Sequence, residues 1–302
     1  MLDKSKVLVM GIGVSGINIT NYLINQKVLP DVRYCVLDSD KQVLNFSKAE
    51  ILIQAGVKQT GGDSKKGRKA VEENIEELED VLKDIKTLFI LTCVGGGIST
   101  GGTLAVVDKA KEMGILTYCI VAKPFKLEDK KVLEVAELTI KKLKEKTDVV
   151  IAIPNDDALT FDNKSKNQRT AIESFITNIP LAIKSIYDFM FTSGFVDVNH
   201  QDIENLFKNT NECHINIGKS SGENRASKAG CNVVESNEYK DILQNAKSVM
   251  ISVSGSDDLK LNEFKDVVET LAEYINNDTQ VVCGCVIDEK LQDEVQVTVI
   301  AG

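Results

Sequence analysis

The first half of the chain alternates short apolar runs with amphipathic stretches. Between the apolar runs, apolar and charged residues recur at helical spacing near Ile17–Gln26, Lys66–Lys83, Leu104–Met113 and Val132–Lys146. Strands that alternate with helices predict a parallel, doubly wound sheet, and such sheets bind ligands at the carboxyl ends of their strands. The six runs with the character of buried strands are Lys6–Met10, Arg33–Leu37, Ile51–Gln54, Leu88–Cys93, Leu116–Ala122 and Val149–Ile153.

The second half has a different pattern. A long helical stretch, Gln168–Phe191, is interrupted by Pro180, which predicts either a kink or two separate helices. Helical spacing returns near Asn224–Val234 and Leu261–Asn276, and a short acidic turn, Asp288–Asp293, joins the last two strands. This mixture predicts a smaller second domain that contains both helices and strands. Its predicted strands are Cys213–Ile217, Val249–Val253, Gln280–Ile287 and Val295–Ile300.

Composition and charge narrow the class of protein. The chain has 302 residues, of which 43% are hydrophobic, enough for two domains with separate cores. A net charge of −9 argues against nucleic-acid binding and predicts that self-assembly depends on salt and divalent cations. Neither a run of about 18 apolar residues nor a signal peptide is recognisable, so we expect a cytoplasmic protein without direct membrane insertion. Seven cysteines and only two histidines predict reduced thiols and no zinc site.

The first glycine-rich segment follows the first predicted strand. Gly11-Ile-Gly13-Val-Ser-Gly16 opens a helix, where backbone N–H groups and the helix N-terminus attract anions. Asp38 ends the next strand, about 20 residues further on, as in the dinucleotide-binding fingerprint. Taken alone, this segment allows a nicotinamide-dependent oxidoreductase, with Asp38 on a ribose hydroxyl, or merely a tight βα turn.

The second glycine-rich segment is less common. Gly95-Gly-Gly-Ile-Ser-Thr-Gly101 and Gly102 join a strand to a helix, and they supply five glycines and two hydroxyl groups. Because glycine is costly in regular structure, such a cluster predicts a cradle of amide donors for phosphate groups. Two such segments at neighbouring strand ends suit one nucleoside triphosphate better than a dinucleotide.

These segments resemble those of the tubulin/FtsZ superfamily and are most similar to FtsZ. The signature there is a triple glycine followed by Thr-Gly-Thr-Gly, from which Ile98 and Ser99 depart. Gly61-Gly62 with Gly67-Arg68 resembles a shortened γ-phosphate loop. The resemblance runs in order along nearly the whole chain through Gly114-Ile-Leu-Thr117, Lys123-Pro-Phe125, Ile153-Pro-Asn-Asp156, Gly222-Glu-Asn-Arg-Ala226 and Val297-Thr-Val-Ile-Ala301.

The resemblance implies a fold, a ligand and a set of contacts. It implies an α/β fold with a Rossmann-type parallel-sheet GTPase domain over residues 1–166, a central helix over 167–192 and a smaller α+β domain over 193–302. The ligands would be GTP or GDP and Mg²⁺, with the ion held mainly by phosphate oxygens and water rather than by protein side chains. Glu128 would contact the ribose and Asp40 would lie near the phosphates. The nucleotide-binding residues would be Gly11, Gly13, Gly16, Asn18, Asp40, Gly62, Gly95, Gly96, Gly97, Ser99, Thr100, Gly101, Glu128, Asn155 and Asn178.

Hydrolysis in this superfamily is completed by a loop from a neighbouring subunit. The matching residues are Asp197, Asn199 and Asp202, whereas FtsZ has Asn, Asp and Asp at these positions. One amide and two carboxylates therefore remain, although their order differs. From the residues alone, these three could equally form a solvated helix start, with Asp202 near the N-terminus of Ile203–Lys208.

Several positions depart from FtsZ. Val132 stands where FtsZ usually has an arginine near the sugar, and the segment from Gly56 to Gly67 is shorter. In an ungapped alignment Ile176 takes the place of the guanine-reading asparagine, and Asn178 reaches it only after a shift of two residues. FtsZ continues beyond its last strand with a tail that recruits membrane tethers. Because this sequence ends at Gly302, we expect a role other than that of the main division protein.

The sequence thus predicts a GTP-binding cytoskeletal protein that polymerises head to tail and hydrolyses GTP where subunits meet. Its partners would be further copies of itself and, as a second candidate, another FtsZ-type protein. The alternative from a different class is a nucleotide-dependent filament scaffold with little or no hydrolysis. The oxidoreductase alternative lacks a suitable histidine, since His200 and His214 both lie in polar surroundings in the second half.

Overall fold

A computed structural model describes residues 4–29, 31–56, 60–156, 168–191, 198, 200–208, 210 and 212–302. For residues 5, 168–178 and 200 it describes the backbone alone. Contacts divide the chain into two compact units, Asp3–Pro180 and Leu181–Gly302. None of the helices in the described part of the chain is long and apolar enough to cross a membrane.

The first unit contains the predicted parallel sheet. Its six strands lie in the order β3-β2-β1-β4-β5-β6, and each neighbouring pair is parallel. The prediction of a doubly wound sheet is therefore confirmed. The strands are β1 Val7–Ile12, β2 Arg33–Asp38, β3 Ile51–Gln54, β4 Thr87–Cys93, β5 Leu116–Lys123 and β6 Val149–Pro154. The helices are α1 Gly13–Asn25, α2 Lys41–Asn45, α3 Ser64–Glu72, α4 Ile75–Leu82, α5 Thr103–Glu112 and α6 Lys130–Lys144.

The apolar runs become strands because both faces of the sheet are covered. All six residues of β1 are buried, and so are six of the seven in β4. Leu8, Met10 and Ile90 pack into one core with the apolar faces of α3, α4 and α5. Each fully buried aliphatic side chain contributes about 1.5–3 kcal/mol to folding. The rigid sheet therefore fixes the carboxyl ends of β1, β2 and β4 at one edge, where both glycine-rich segments emerge.

Some predicted boundaries were wrong. The single helix expected at Lys66–Lys83 is two helices, because α3 ends at Glu72 and α4 begins at Ile75. Between them, the Asn74 side chain donates a hydrogen bond to the Ala70 carbonyl, and the Asn74 backbone departs from the helical conformation. Of the two outcomes predicted at Pro180, the split does not occur, because the next helix, α7, runs unbroken over Gln168–Phe191. The short helix α2 was not predicted.

The second unit holds a mixed four-stranded sheet in the order β7-β10-β8-β9. Strand β10 is antiparallel to both of its neighbours, and β8 and β9 are parallel. The α+β prediction is confirmed, although helix α10 was missed and the Asp288–Asp293 turn contains a short 3-10 helix, Glu289–Leu291. The elements are α8 His200–Phe207, β7 His214–Ser221, α9 Arg225–Val233, α10 Asn237–Asn245, β8 Ser248–Gly255, α11 Leu261–Ala272, β9 Gln280–Ile287 and β10 Glu294–Ala301.

Candidate functional site

The first glycine-rich segment is a tight turn from β1 directly into α1. Gly13 has a φ of +75°, which favours glycine. Gly11 and Gly16 serve close packing: a Cβ at Gly11 would lie 2.4 Å from Thr20 Oγ1, and one at Gly16 would lie 2.2 Å from the Leu91 carbonyl oxygen. These two glycines bring α1 against β1 and β4, and they present the helix N-terminus at the edge of the sheet.

The second glycine-rich segment forms a turn of π-helix, Ile98–Gly102, that leads into α5. The Gly95 N–H donates to Thr100 Oγ1 at 2.9 Å, which closes the turn from within. A Cβ at Gly101 would lie 1.7 Å from the Ser64 carbonyl oxygen, and one at Gly97 would lie 2.2 Å from Thr60 Oγ1. Gly97 and Gly101 therefore allow α3 and the residues before it to pack directly on the turn.

Two further strand ends complete the site. Asp38 is the last residue of β2, and its Oδ1 accepts the Asp40 N–H at 2.8 Å. Asp40 in turn caps α2, since its Oδ1 accepts the Gln42 N–H at 2.8 Å. Beyond β5, Glu128 Oε1 accepts the Phe125 N–H at 2.9 Å and closes the turn that precedes α6. Each carboxylate is thus positioned by a backbone donor.

Together these segments enclose a cavity of about 510 Å³ at the carboxyl end of the sheet. This volume suits a ligand of the size of a nucleotide. Both glycine-rich turns contribute to the wall, as do the ends of β2 and β5. Seven of the residues predicted from sequence lie in the wall: Gly13, Asp40, Gly95, Gly96, Gly97, Ser99 and Glu128.

The other predicted residues do not line this cavity or lie outside the described residues. Gly11, Gly16, Thr100 and Gly101 support the turns from behind, whereas Asn18 is exposed on α1. Gly62 lies beside the wall residue Gly61, and Asn155 is buried next to the wall residue Cys93. For Asn178 only the backbone, within α7, is described. Asp197 and Asn199 lie outside the described residues, and Asp202 is half-buried in the first turn of α8.

Among the wall residues that carry a hydroxyl or thiol group, sequence reasoning missed Ser15, Thr60 and Cys93. Ser15 stands between two recognised glycines, so its place in the turn could have revealed it. Cys93 ends a strand and was interpreted only as a buried thiol. The pKa of the Cys93 thiol is raised to about 11 by burial, so it stays protonated at neutral pH. No such pattern marked Thr60, which faces the second turn only because α3 packs there.

The cavity is acidic. Asp38, Asp40 and Glu128 line it, and its wall contains no Lys, Arg or His among the described residues. Asp38 is only 4% exposed, and burial together with the neighbouring Asp40 raises the pKa of its carboxyl. Backbone amides and the N-terminus of α1 are therefore the sources of positive potential that the wall supplies. In the described part of the chain, no cluster of three or more His, Cys, Asp or Glu side chains could hold a metal ion.

The sequence matches two family descriptions that together span most of the chain. Residues 6–163 match "Tubulin/FtsZ family, GTPase domain", and residues 212–302 match "FtsZ family, C-terminal domain". The chain belongs to the tubulin/FtsZ family. This membership agrees with the resemblance carried by the glycine-rich segments, and it removes the support for an oxidoreductase, which depended on the first turn and Asp38 alone.

Solved structures of this family share the fold. FtsZ from M. jannaschii, in a structure described as an empty dimer, is 28% identical with a TM-score of 0.83 over 98% of this chain and 87% of that one. CetZ from Methanosaeta thermophila is 18% identical, with a TM-score of 0.78 over 98% and 86%. CetZ2 from Haloferax volcanii, described as a GTPγS-bound protofilament, is 15% identical with a TM-score of 0.75 over 98% and 92%.

The cavity suits a nucleotide, and the GTPase domain that the sequence matches implies a guanine base. Asn155 is 8% exposed, and its Oδ1 atom finds no hydrogen-bond partner among the described residues. Its Nδ2 atom lies 3.9 Å from the Sγ of Cys93 in the cavity wall. A buried, unpaired acceptor is costly, so a ligand donor at this place would relieve it. The glycine-lined wall, in turn, allows the close backbone approach that phosphates need.

Proposed function

We propose that this protein binds GTP, assembles head to tail into filaments and hydrolyses GTP where two subunits meet. The observation that carries the proposal is the 510 Å³ cavity, which both glycine-rich turns enclose in a chain of the tubulin/FtsZ family. Further support comes from the solved relatives, since one is described as a dimer and another as a nucleotide-bound protofilament.

The wall residues have distinct tasks in this proposal. The backbone amides of Gly96 and Gly97 and the N-terminus of α1 bind the phosphates, and the Ser99 hydroxyl adds a donor. Glu128, held by the Phe125 N–H, accepts from the ribose hydroxyls. A magnesium ion bound with the nucleotide neutralises phosphate charge. That contribution matters here because the described wall contains no basic side chain.

The hydrolytic residues come from the next subunit. A carboxylate positioned beside the terminal phosphate orients the attacking water and accepts hydrogen bonds from it. Asp202 is suited to this task because its backbone lies in the first turn of α8 while its side chain stays half-exposed. Asp197 and Asn199 would complete the group. A single subunit would then bind the nucleotide in its cavity without cleaving it, and turnover would require contact between two subunits.

Phosphate release from GTP with magnesium, followed over a range of protein concentrations, tests this proposal. A shared site predicts almost no turnover below a threshold concentration and a steep rise above it. Pelleted protein should appear at the same threshold. Turnover strictly proportional to protein concentration would instead indicate a self-contained hydrolase, and the composite site would be wrong.

The second candidate function is a nucleotide-dependent scaffold with little hydrolysis. Val132 favours it, because this apolar side chain lies in the cavity wall where FtsZ usually has an arginine. Its Cγ1 atom lies 2.7 Å from the position of a Cβ at Gly95, so it packs directly on the second turn. GTP-dependent pelleting without phosphate release at any concentration would support this candidate over the first.

The uneven distribution of charge predicts how salt affects assembly. Residues 181–302 contain ten Lys and Arg against twenty Asp and Glu, a net charge of −10, and the remaining residues carry +1. Head-to-tail contact brings an acidic unit towards the phosphate-bearing face of the next subunit, so repulsion opposes assembly. Raising monovalent salt to about 0.15 M shortens the screening length to about 8 Å and should lower the threshold concentration. A threshold that rises with salt, but not with sucrose, would contradict this prediction.

The buried carboxyl of Asp38 predicts a pH dependence of nucleotide binding. Its pKa is already raised by burial, and a bound anion would raise it further. The bound state then holds the proton more firmly, so affinity should increase as pH falls from neutrality towards that pKa. Asp38→Asn should lose this pH-dependent contribution and bind the nucleotide more tightly than wild type at neutral pH, because it removes a negative charge from the cavity wall.

Fluorescent-nucleotide titrations of wild type and Asp38→Asn between neutral and mildly acidic pH measure this effect. The difference between the two proteins is the relevant quantity, because the nucleotide itself also titrates. Glu50→Gln is the matched control, since this exposed carboxylate pairs with Arg33 outside the cavity. Identical pH profiles for wild type and Asp38→Asn would show that Asp38 does not sense the bound anion.

A further inference from the structure

We propose that strand β9 is the support that positions Asp202 for hydrolysis, and that Gly284 and Lys184 are positioning residues for this reaction. The inference rests on the proposed catalytic role of Asp202. It follows from three contacts within the second unit. These are a close approach between α7 and β9, an ionic cluster between α7 and the residue after β9, and the apolar packing of α8.

The first contact is between Gly284 in β9 and Phe189 in α7. A Cβ at Gly284 would lie 2.5 Å from Cε1 and 2.8 Å from Cζ of the Phe189 ring. The ring therefore lies directly on the backbone of β9, and any larger residue at this position must displace it. Phe189 is 7% exposed, so it has little free space into which to move.

The second contact is an ionic cluster between α7 and Asp288, the residue that directly follows β9. Lys184 pairs with Asp188 one turn further along α7 and with Asp288, whose Oδ2 lies 3.2 Å from the Lys184 Nζ. The three side chains are 17%, 10% and 16% exposed. Although burial alone would lower the pKa of Lys184, the two carboxylates outweigh it and raise that pKa. Lys184 thus stays charged at neutral pH, and its ion pair with Asp288 ties α7 to the end of β9.

The two contacts also define a direction. Lys184 precedes Phe189 in α7, whereas its partner Asp288 follows Gly284 in the chain. Helix α7 therefore runs antiparallel to β9, and it is fixed at two points. Two separated anchors prevent both rotation and sliding of the C-terminal half of α7, which one contact could not do.

The third contact is the apolar packing of α8, the helix that carries Asp202. The side chains of Ile203, Leu206 and Phe207 are at most 2% exposed, and α8 packs against β8 and β9. Asp202 directly precedes Ile203 and is half-buried in the first turn of the helix. Helices α7 and α8, which flank the proposed catalytic residues in the chain, therefore both pack on β9. A shift of α7 on β9 would consequently displace Asp202.

Loss of an anchor should reduce turnover without affecting nucleotide binding. The cavity lies in the first unit, whereas all the anchoring residues lie in the second. A displacement of about 1 Å at a catalytic group can cost on the order of 100-fold in rate. The effect should appear in phosphate release per pelleted subunit, and the affinity for nucleotide should remain that of the wild type.

The test compares Gly284→Ala and Lys184→Met with wild type. We expect phosphate release per pelleted subunit to fall about tenfold or more in both, with nucleotide affinity and pelleted fraction unchanged. Lys184→Arg keeps both ion pairs and should stay within about twofold of wild type. Val281→Ala is the matched control on β9, because Val281 is 41% exposed and makes neither anchor. Asp288→Asn provides a milder loss of the same cluster if Gly284→Ala fails to fold.

Unchanged turnover per pelleted subunit in folded Gly284→Ala and Lys184→Met would overturn the proposal. Should the wild type itself release no phosphate, the hydrolytic function is wrong, and the anchor is then tested by hydrogen exchange of the unassembled protein. Faster exchange of the α8 amides in Gly284→Ala than in Val281→Ala is the expected result. Equal exchange in these two variants would show that the contact between Gly284 and Phe189 does not help to hold α8 on β9.

Discussion

Asp202→Ala is expected to reduce phosphate release per pelleted subunit by about 100- to 1,000-fold, the loss typical of removing one group that stabilises a transition state. The affinity for nucleotide should not change, because Asp202 lies outside the cavity of its own subunit. If hydrolysis weakens the contact between subunits, filaments of this variant should form at the same threshold concentration or a lower one. Phosphate release and pelleting on the same samples measure both effects.

Glu204→Gln is the matched control for this prediction. Glu204 lies in the same helix, two residues further on, and is half-buried like Asp202. It should retain turnover within about twofold of wild type, as a change away from the reacting groups normally does. Equal losses in the two variants would point to a general effect on α8. Retention of activity in Asp202→Ala would show that another group orients the water.

The fold was predictable wherever one pattern dominated a whole element. Strands β1 and β4 are continuous apolar runs because both faces of a parallel sheet are covered, and the printed sequence shows this directly. Helices α2 and α10 are short, with 5 and 9 residues, and their formation depends on caps from Asp40 and Ser236. Such helices have weak periodicity of their own, so tertiary packing rather than pattern decides them.

The site was predictable as a location but less so as a set of contacts. Glycine spacing indicated that both turns meet at the edge of the sheet, and the structure places Gly13 and Gly96 in one cavity wall. Glycine spacing could not distinguish these two wall residues from Gly11 and Gly101. At the latter positions a Cβ would collide with Thr20 and Ser64. The two kinds of glycine differ only in what lies beside them, and neighbours distant in sequence are invisible to spacing.

The structure also changes the importance of one predicted departure. In the sequence, Val132 indicated the loss of one arginine that FtsZ usually has near the sugar. The described cavity wall, however, contains three carboxylates and no basic side chain at all. A nucleotide bound there must be neutralised by backbone dipoles and by its own cation. Weak intrinsic affinity for the anion would make subunit contact and divalent cations the controlling variables. This is the physical reason to measure turnover against concentration first.

Arg225→Met should destabilise the second unit by about 3–5 kcal/mol, the usual cost of removing one partner of a buried ion pair. The Arg225 side chain is 6% exposed, and it donates from Nε and Nη2 to Glu263 at 2.8 and 3.2 Å. It also pairs with Asp258 at 2.9 Å and with Asp293 at 3.2 Å. One guanidinium therefore joins α9, α11 and the two loops beside them, and its loss leaves the half-buried Glu263 without its cation.

The ion pairs of Arg225 also predict how the stability of the folded protein depends on pH. Hydrogen bonds from Arg225 lower the pKa values of Asp258 and Glu263 in the folded protein below their ordinary 3.8 and 4.5. Their stabilisation is complete above those ordinary values and is lost as pH falls through the lowered ones. Asp258 is 57% exposed and contributes little, so Glu263 carries most of the effect. Wild type should lose stability below about pH 4.5, whereas Arg225→Met, already destabilised, should show a shallower slope.

Urea unfolding followed by circular dichroism at neutral and acid pH measures both quantities. Arg33→Met is the matched control, because its pair with Glu50 is exposed, at 43% and 60%, and should cost less than about 1 kcal/mol. Equal losses in the two variants would show that the buried cluster contributes no more than a surface pair. A large loss confined to Arg225→Met, with nucleotide affinity intact, would instead show that this unit is stabilised separately from the nucleotide cavity. The hydrolytic role proposed for Asp202 would depend on that stability, because its helix is part of the same unit.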